Sequence, residues 1–339
     1  MNTNVIGIDV AKNVFQLCLA NLQGKVIGKQ RLGRESLLTY LVNQEKSCVV
    51  MEACGSANYW AREITKLGHE VKLIAAQYVK PFVKGNKNDY RDAEAIVEAA
   101  SRPTMRYVSP KTVEQQDIQS VLRVREGLVT TKTKMMNQVR GLLSEYGCVM
   151  PLGFEALKRE LPKLFDRKIN NELSDLMKNL IETQYELVMT LENKIDACDA
   201  TLKNIVKHDE RCKRLMDIEG IGVITAAAII ALAGNGAGFK NGRHFAAFIG
   251  LVPKQYSSGN KQRLLGISKR GDEYVRRMLI HGARSAILAS KAKKDKRSLW
   301  IQGIVEKRGM NVAAVALANK NARIAMSLLL SEESYKKSA

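Results

Sequence analysis

Val5-Ile6-Gly7-Ile8-Asp9-Val10 sets a carboxylate inside a run of β-branched residues. The run is short, apolar and rich in Val and Ile, which predicts a strand buried on both faces at the centre of a sheet. Outward from it, Val14 to Ala20 and Lys25 to Leu32 predict two more strands joined by the turn Asn21-Leu22-Gln23-Gly24. Ser36 to Asn43 predicts a short helix capped by Ser36, Ser47 to Glu52 a fourth strand, Ala57 to Leu67 a helix, and Glu70 to Ala75 a fifth strand. Three hairpin-like strands followed by alternating helix and strand make an α/β domain over residues 1–110, a mixed sheet with helices outside.

The acids of this region fall at unusual places. Asp9 lies inside the first strand and Glu52 ends the fourth, just before Ala53-Cys54-Gly55-Ser56. An ionised group there costs several kcal/mol unless it is paired or bound to a metal. Gly85-Asn86-Lys87-Asn88-Asp89-Tyr90-Arg91-Asp92 then opens a helix running to about Ala100, with Asn88 as its cap and Asp89 and Asp92 on one face of its first turn. Acids in a first helical turn also suit the helix dipole without further purpose, and Asp9 alone fits a buried ion pair with Lys or Arg. Taken together, the four acids have the layout of an RNase H-like metal site, in which two Mg²⁺ or Mn²⁺ ions about 4 Å apart need several hard oxygen ligands. Glu94 rotates off that face and reads as a solvated residue.

The remaining two-thirds of the 339 residues reads as helix. Val113 to Tyr146 holds no proline, and residues 169–206 carry Ile169, Leu173, Leu176, Leu180, Leu187, Leu191, Ile195, Cys198, Leu202 and Ile205 at mostly helical spacings, with a break near Thr183 or Gln184. This predicts, over residues 111–210, either an antiparallel arm or dimerising coiled coil, or a helix lying on the protein's own core. Ile218-Glu219-Gly220-Ile221-Gly222 resembles a helix-hairpin-helix turn whose N–H groups hold a phosphate. Residues 211–330 read as a third, helical and basic domain with a polar loop from Gln255 to Gly266, and residues 331–339 as a tail, frayed from Ser334 to Ala339.

Charge sharpens this picture. Of the net +20, residues 239–339 supply +15 (21 Lys and Arg against 6 Asp and Glu), and a regional excess of that kind points to a polyanion, nucleic acid above all. With 45% hydrophobic and 26% charged residues a packed core is expected and global disorder is not. No run reaches the ~18 apolar residues of a membrane span and no export signal is read, so a cytoplasmic, nucleoid-associated protein is expected. Six cysteines without a CxxC pair and four scattered histidines argue against a zinc site or a disulfide framework.

The last constellation is Phe245-Ala-Ala-Phe-Ile-Gly-Leu-Val-Pro253, then Tyr256-Ser257-Ser258-Gly259, then Gly266-Ile267-Ser268-Lys269-Arg270-Gly271-Asp272 and Arg276-Arg277. Pro253 and Gly259 frame a loop with adjacent serines, and the basic cluster that follows could neutralise phosphates, with Gly220, Gly222, Lys254, Lys261, Arg263, Ser268, Lys269, Arg270, Arg276 and Arg277 as candidate nucleic-acid contacts. A Ser-Gly pair taken alone is a turn.

With these motifs in order over residues 5–330, the chain resembles the DEDD transposases of bacterial insertion sequences. It is similar to the insertion-sequence-110 type, its 1111 subgroup in particular, and to the Piv and MooV invertases. The resemblance implies an N-terminal RuvC-like domain in which Asp9, Glu52, Asp89 and Asp92 hold Mg²⁺ or Mn²⁺. It also implies a C-terminal transposase domain in which Ser258 is the nucleophile, with Ser257 beside it as the one-residue alternative. It further implies cleavage and rejoining of donor and target DNA through a 5′-phosphoserine link and a Holliday-junction-like intermediate, an element-encoded guide (bridge) RNA, and a homo-oligomer, dimer or tetramer. Two other readings compete: a junction nuclease that uses water, and a non-catalytic basic scaffold for nucleic acid.

Overall fold

A computed structural model describes residues 4–21, 23–83, 89–164, 173–258 and 261–336, with side chains omitted at 89 and 90. The chain forms two compact units, Met1–Glu114 and Gln115–Ala339.

The first unit is α/β. Its elements are β1 (Val5–Asp9), β2 (Val14–Ala20), β3 (Val26–Gly33), α1 (Ser36–Val42), β4 (Cys48–Glu52), α2 (Ala57–Lys66), β5 (Glu70–Ile74), α3 (Ala76–Val79), α4 (Asp89–Ala100) and β6 (Tyr107–Val108). The sheet is mixed, in the order β3-β2-β1-β4-β5-β6. β1 pairs antiparallel with β2 and parallel with β4, β4 runs parallel to β5, and β6 closes the edge antiparallel to β5. Side chains alternate between the two faces of a strand. Ile6, Ile8, Val49 and Met51 therefore share one face and pack with Leu37, Leu41, Trp60 and Ile64 of α1 and α2. Val50 lies on the other face, among Ile74, Val79, Ala95 and Ile96. Gly7 also lies on that face, where α4 crosses β1 so closely that a Cβ on Gly7 would stand 2.8 Å from the Ala93 carbonyl oxygen and 2.6 Å from Val97 Cγ2.

The five strands expected from β-branched runs are present within a residue or two. The two-residue β6 and the short α3 carry too few residues for a periodicity to register. Ser36 is the first residue of α1 rather than its cap, and Glu35 in the cap position makes no side-chain capping bond. The expected cap of α4, Asn88, lies outside the described residues. Glu94 is not merely solvated, because it forms an ion pair with Lys29.

The second unit is helical, with α5 (Val113–Ser144) entering from the first. It continues with α6 (Phe154–Leu164), α7 (Asp175–His208), α8 (Glu210–Met216), α9 (Val223–Ala233), α10 (Gly242–Phe248), β7 (Pro253–Gln255), β8 (Leu264–Ile267), α11 (Glu273–Ser290), α12 (Lys296–Arg308) and α13 (Met310–Ser331). α5 and α7 run antiparallel, bridged by Arg125–Asp199 at 2.5 Å and by Lys132–Glu192. Far from the main core the pair has a core of its own, in which Leu157 and Leu161 of α6 meet Met136, Val139, Leu143, Ile181 and Val188. At its near end, Leu202 and Val206 join the main core.

α7 is continuous through Thr183 and Gln184, where a break was expected. The buried seam is Ile181, Val188, Ile195 and Leu202, one residue per heptad, while Leu176, Leu180 and Leu187 of the expected stripe are exposed. The irregular spacing read as a break is the junction of two apolar faces of one helix. Ile169, the first residue of that stripe, lies outside the described residues.

The main core surrounds α9, whose residues 225–231 are all buried. That burial is the physical reason for its apolar composition, and no helix among the described residues is long and apolar enough to cross a membrane. The C-terminal stretch is not frayed as far as Tyr335, whose hydroxyl accepts a bond from Arg297 Nη1 at 3.1 Å.

Candidate active site

Asp9 and Glu52 end adjacent parallel strands at the same end of the sheet. They share the parity of Gly7 and Val50, so both carboxylates leave the sheet on the face that α4 covers. Asp92 precedes Ala93, the residue of α4 whose carbonyl meets Gly7. Helix packing and strand alternation thus bring the three half-buried acids to one corner. The electrostatics agree: burial first, and the charge of Asp92 next, push the Glu52 carboxyl above the usual carboxylate range. The Cys54 thiol, 3.8 Å from the Val10 carbonyl oxygen, is pushed up by burial, then by Glu52 and by Asp9, and stays protonated at neutral pH. The side chain of Asp89, at the start of α4, lies outside the described residues. Among the described residues no three His, Cys, Asp or Glu side chains converge on a single ion position.

The polar loop of the second unit is a two-stranded ribbon, β7 pairing antiparallel with β8. Its strands are exposed, so they carry no inside–outside alternation that would mark them in the sequence. Ser257 Oγ accepts bonds from Gln255 Nε2 at 3.1 Å and from the Arg263 backbone N–H at 3.4 Å. Ser258 is exposed near the tip, its carbonyl oxygen bonded by the Lys261 N–H at 3.2 Å. Gly259 lies outside the described residues. Ser257 is thus tied into the ribbon, whereas Ser258 offers its hydroxyl to solvent.

The Phe-Ile-Gly-Leu-Val-Pro and Gly-Ile-Ser-Lys-Arg-Gly-Asp stretches form the two legs of the ribbon. Ser268 N–H donates to Val252 O at 2.8 Å and Lys269 N–H to Gly250 O at 3.2 Å. The legs touch backbone to backbone: a Cβ on Gly271, at φ +67°, would lie 1.9 Å from the Phe248 carbonyl oxygen. Lys269 holds a φ of +55°, a left-handed conformation that costs a residue with a Cβ about 1–2 kcal/mol.

The expected nucleic-acid contacts separate into two groups. Lys254, Lys261, Arg263, Lys269 and Arg270 are exposed around the ribbon, and Gly222 is exposed before α9. Gly220, at φ +90°, is instead a packing residue, since a Cβ there would stand 2.7 Å from the Gly282 carbonyl oxygen of α11. Its turn is held by Arg297 Nη2 and Asn321 Nδ2, both donating to the Glu219 carbonyl oxygen. Ser268 Oγ is buried with no hydrogen-bond partner among the described residues. Arg277 is paired with Glu126 of α5. Arg276 is only 7% exposed and points inward, its Nη1 donating to Ile249 O at 3.1 Å and Arg270 O at 2.8 Å. Neither Gly7 nor Asn319, which donates to Leu251 O at 3.0 Å at the root of the ribbon, was found from the sequence, although a glycine inside a buried β-branched run is a signal of close backbone approach.

Two family models match the chain, one after the other along the sequence. Residues 6–148 match a model described as a transposase of the DEDD, IS110 type, and residues 212–298 match the transposase IS116/IS110/IS902 family. The chain is thereby of the transposase class. It is similar to the transposase for insertion sequence element IS1111A of Coxiella burnetii, 46% identical over 332 residues covering 98% of this chain and 91% of the relative. It is equally similar to a probable family 20 transposase of Pseudomonas aeruginosa, 46% identical over 336 residues and 99% of each chain. A pilin gene-inverting protein of Moraxella bovis is 24% identical over 285 residues, 79% of each chain. The chain belongs to the IS110 family of DEDD transposases.

Proposed function

We propose that this transposase cuts and rejoins DNA by attack of Ser258 on a phosphodiester, assisted by divalent cations bound to the acids of an RNase H-like, RuvC-like first unit. The observation that carries the reading is the pairing of features within one chain: carboxylates at the same end of two adjacent strands, and an exposed serine on a ribbon with exposed lysines and arginines. The donor set fits Mg²⁺ or Mn²⁺, since it is all carboxylate oxygen and the neighbouring thiol is protonated. The Glu52 carboxyl is raised by burial first and by the charge of Asp92 next, and a bound cation would relieve both. Bound at Asp9, Glu52, Asp89 and Asp92, such ions would neutralise charge on the phosphate undergoing attack.

The chain's own groups do the rest. Lys254, Lys261, Arg263, Lys269 and Arg270 hold the DNA backbone near the ribbon. As the Ser258 Oγ–phosphorus bond forms, the hydroxyl gives up its proton and the bond from phosphorus to the 3′-oxygen breaks. The 3′-oxygen takes up a proton, and a 5′-phosphoserine remains. The link keeps one phosphate ester for another, so a 3′-hydroxyl from a second strand can reverse the step without ATP. That reversal supports strand exchange between donor and target DNA through a Holliday-junction-like intermediate. A guide RNA supplying the sequence choice accords with a basic protein of only 6% aromatic residues. A homo-oligomer would let acids and serine come from different copies.

Denaturing gels of the protein with element-end DNA, Mg²⁺ and its co-purified RNA test the reading. A covalent protein–DNA adduct is expected, lost in Ser258→Ala and kept in Ser257→Ala. Free 5′-phosphate ends without an adduct would show that water is the nucleophile, and sequencing of the co-purified nucleic acid tests the guide RNA directly.

A further inference from the structure

We infer that Arg276 is a positioning residue, a buried staple across the two legs of the serine ribbon, and not a contact to phosphate. The inference rests on the proposed role of Ser258, and it concerns how that hydroxyl is held.

Arg276 lies in the first turn of α11, where the helix dipole disfavours a cation. It is also buried, and none of the ion pairs among the described residues includes it. A guanidinium in such a place is costly unless its donors are used, and here one nitrogen bonds two carbonyls from different segments. Ile249 O belongs to the leg that climbs into β7, and Arg270 O to the leg that descends from β8. The surrounding contacts have the same purpose. A Cβ on Gly250 would stand 2.4 Å from the Arg270 N, so the legs are in van der Waals contact at the level of the staple. Ser268 and Lys269 bond back to Val252 and Gly250 just beyond it. The left-handed Lys269 sits between the two, a conformation that persists only where its surroundings hold it.

Beyond this point the ribbon has little burial of its own, all of β7 and most of β8 being exposed. Its aim is therefore set at the root, and Ser258 is a short lever arm away. A misplacement of about 1 Å at a reacting atom costs on the order of 10²-fold in rate. The next residue, Arg277, bonds Glu126 of α5, so consecutive residues of one helical turn hold the ribbon and the arm.

The test uses full-length Arg276→Met, which keeps the bulk and removes the donors, and Arg276→Lys, which keeps the charge and a donor. Three measurements are made on each. Amide hydrogen exchange at Ser268 and Lys269 should accelerate at least tenfold in Arg276→Met and recover partly in Arg276→Lys. Covalent linkage to element-end DNA at saturating concentration should slow roughly 10- to 100-fold in Arg276→Met, with Arg276→Lys restoring much of it. The salt dependence of binding to a mixed-sequence duplex should keep its wild-type slope in both. Unchanged exchange in Arg276→Met overturns the staple, as does unchanged linkage where exchange has risen. A salt slope shallower by about one in Arg276→Met means that Arg276 contacts phosphate after all. If Ser258→Ala still forms the adduct, the proposed nucleophile fails, while the exchange measurement still decides the staple by itself.

Discussion

Replacing Gly7 by Ala should separate the acid cluster while leaving every acid in place. Gly7 has no left-handed φ, so alanine can adopt its backbone, and the loss of unfolded-state freedom favours the variant by about 0.4–1 kcal/mol. Against this stands the new methyl, 2.8 Å from the Ala93 carbonyl oxygen and 3.3 Å from the Val97 N, with Val97 Cγ2 at 2.6 Å. The oxygen contact is about 0.6 Å inside ordinary van der Waals distance, and both Ala93 O and Val97 N are backbone of α4, so no side-chain rotation relieves it. α4 has to lift from β1. Overpacking of this kind costs about 1–3 kcal/mol, which leaves a net loss of roughly 1–2 kcal/mol after the entropic gain. For a unit of about a hundred residues that corresponds to a fall in Tm of about 4–15 °C. The same shift moves Asp92, one residue before the clash, away from Asp9 and Glu52, and a displacement near 0.6 Å should slow Mg²⁺-dependent strand cleavage by at least tenfold. Differential scanning fluorimetry and a single-turnover cleavage assay check both numbers. A Gly7→Ala protein with wild-type Tm and a cleavage rate within threefold of wild type would refute the argument that close packing of α4 on β1 assembles the acids.

Two further predictions concern pH. Because burial and Asp92 raise the Glu52 carboxyl, the folded state holds a proton there that the unfolded chain has released, and metal-free stability falls as pH rises from about 4.5 through the raised value. Glu52→Gln should therefore melt a few °C above wild type at pH 7.5 without metal, lose that advantage near pH 4.5, and gain less Tm from added Mn²⁺; a lower Tm at pH 7.5 would contradict the reading. At the cap of α8, burial tends to raise Asp209, but bonds and charge from Arg211, with the N–H groups of Arg211 and Cys212, more than offset it and leave its carboxyl below the usual range. This stabilisation is present above about pH 3.8 and is lost as pH falls through the depressed value. Asn caps a helix as well as Asp does, so Asp209→Asn should cost only the charged part, about 1–2 kcal/mol by thermal melting at pH 7, and less at pH 2.5. An equal loss at both values would mean that the Arg211 pair contributes nothing.

What could be read from the amino acids, and what could not, follows from which forces leave a local signature. β1, β2 and β4 were legible because a strand buried on both faces is a near-continuous apolar run, and Asp9 and Glu52 because a charge in such a run is costly unless it is paired or bound to a metal. Their convergence on the α4 face follows from strand parity once the sheet order is known. The ribbon carrying Ser258 left no such trace, since Pro253–Gln255 and Leu264–Ile267 are largely exposed and satisfy only each other. The seam of α7 misled for the opposite reason: Leu176, Leu180 and Leu187 are apolar but exposed, and they blur the heptad of Ile181, Val188, Ile195 and Leu202 that does the packing. Arg276 and Arg270 show where a count of charges fails altogether. Both are arginines in one basic stretch and contribute equally to a net charge of +20, yet one is exposed and the other donates to main-chain carbonyls in the interior. A guanidinium offers the same donors to a phosphate oxygen as to a peptide oxygen. Which of the two it meets is decided by the path of the backbone around it, and here that path is fixed by Gly250 and Gly271, the glycines that let the two legs close on the Arg276 side chain.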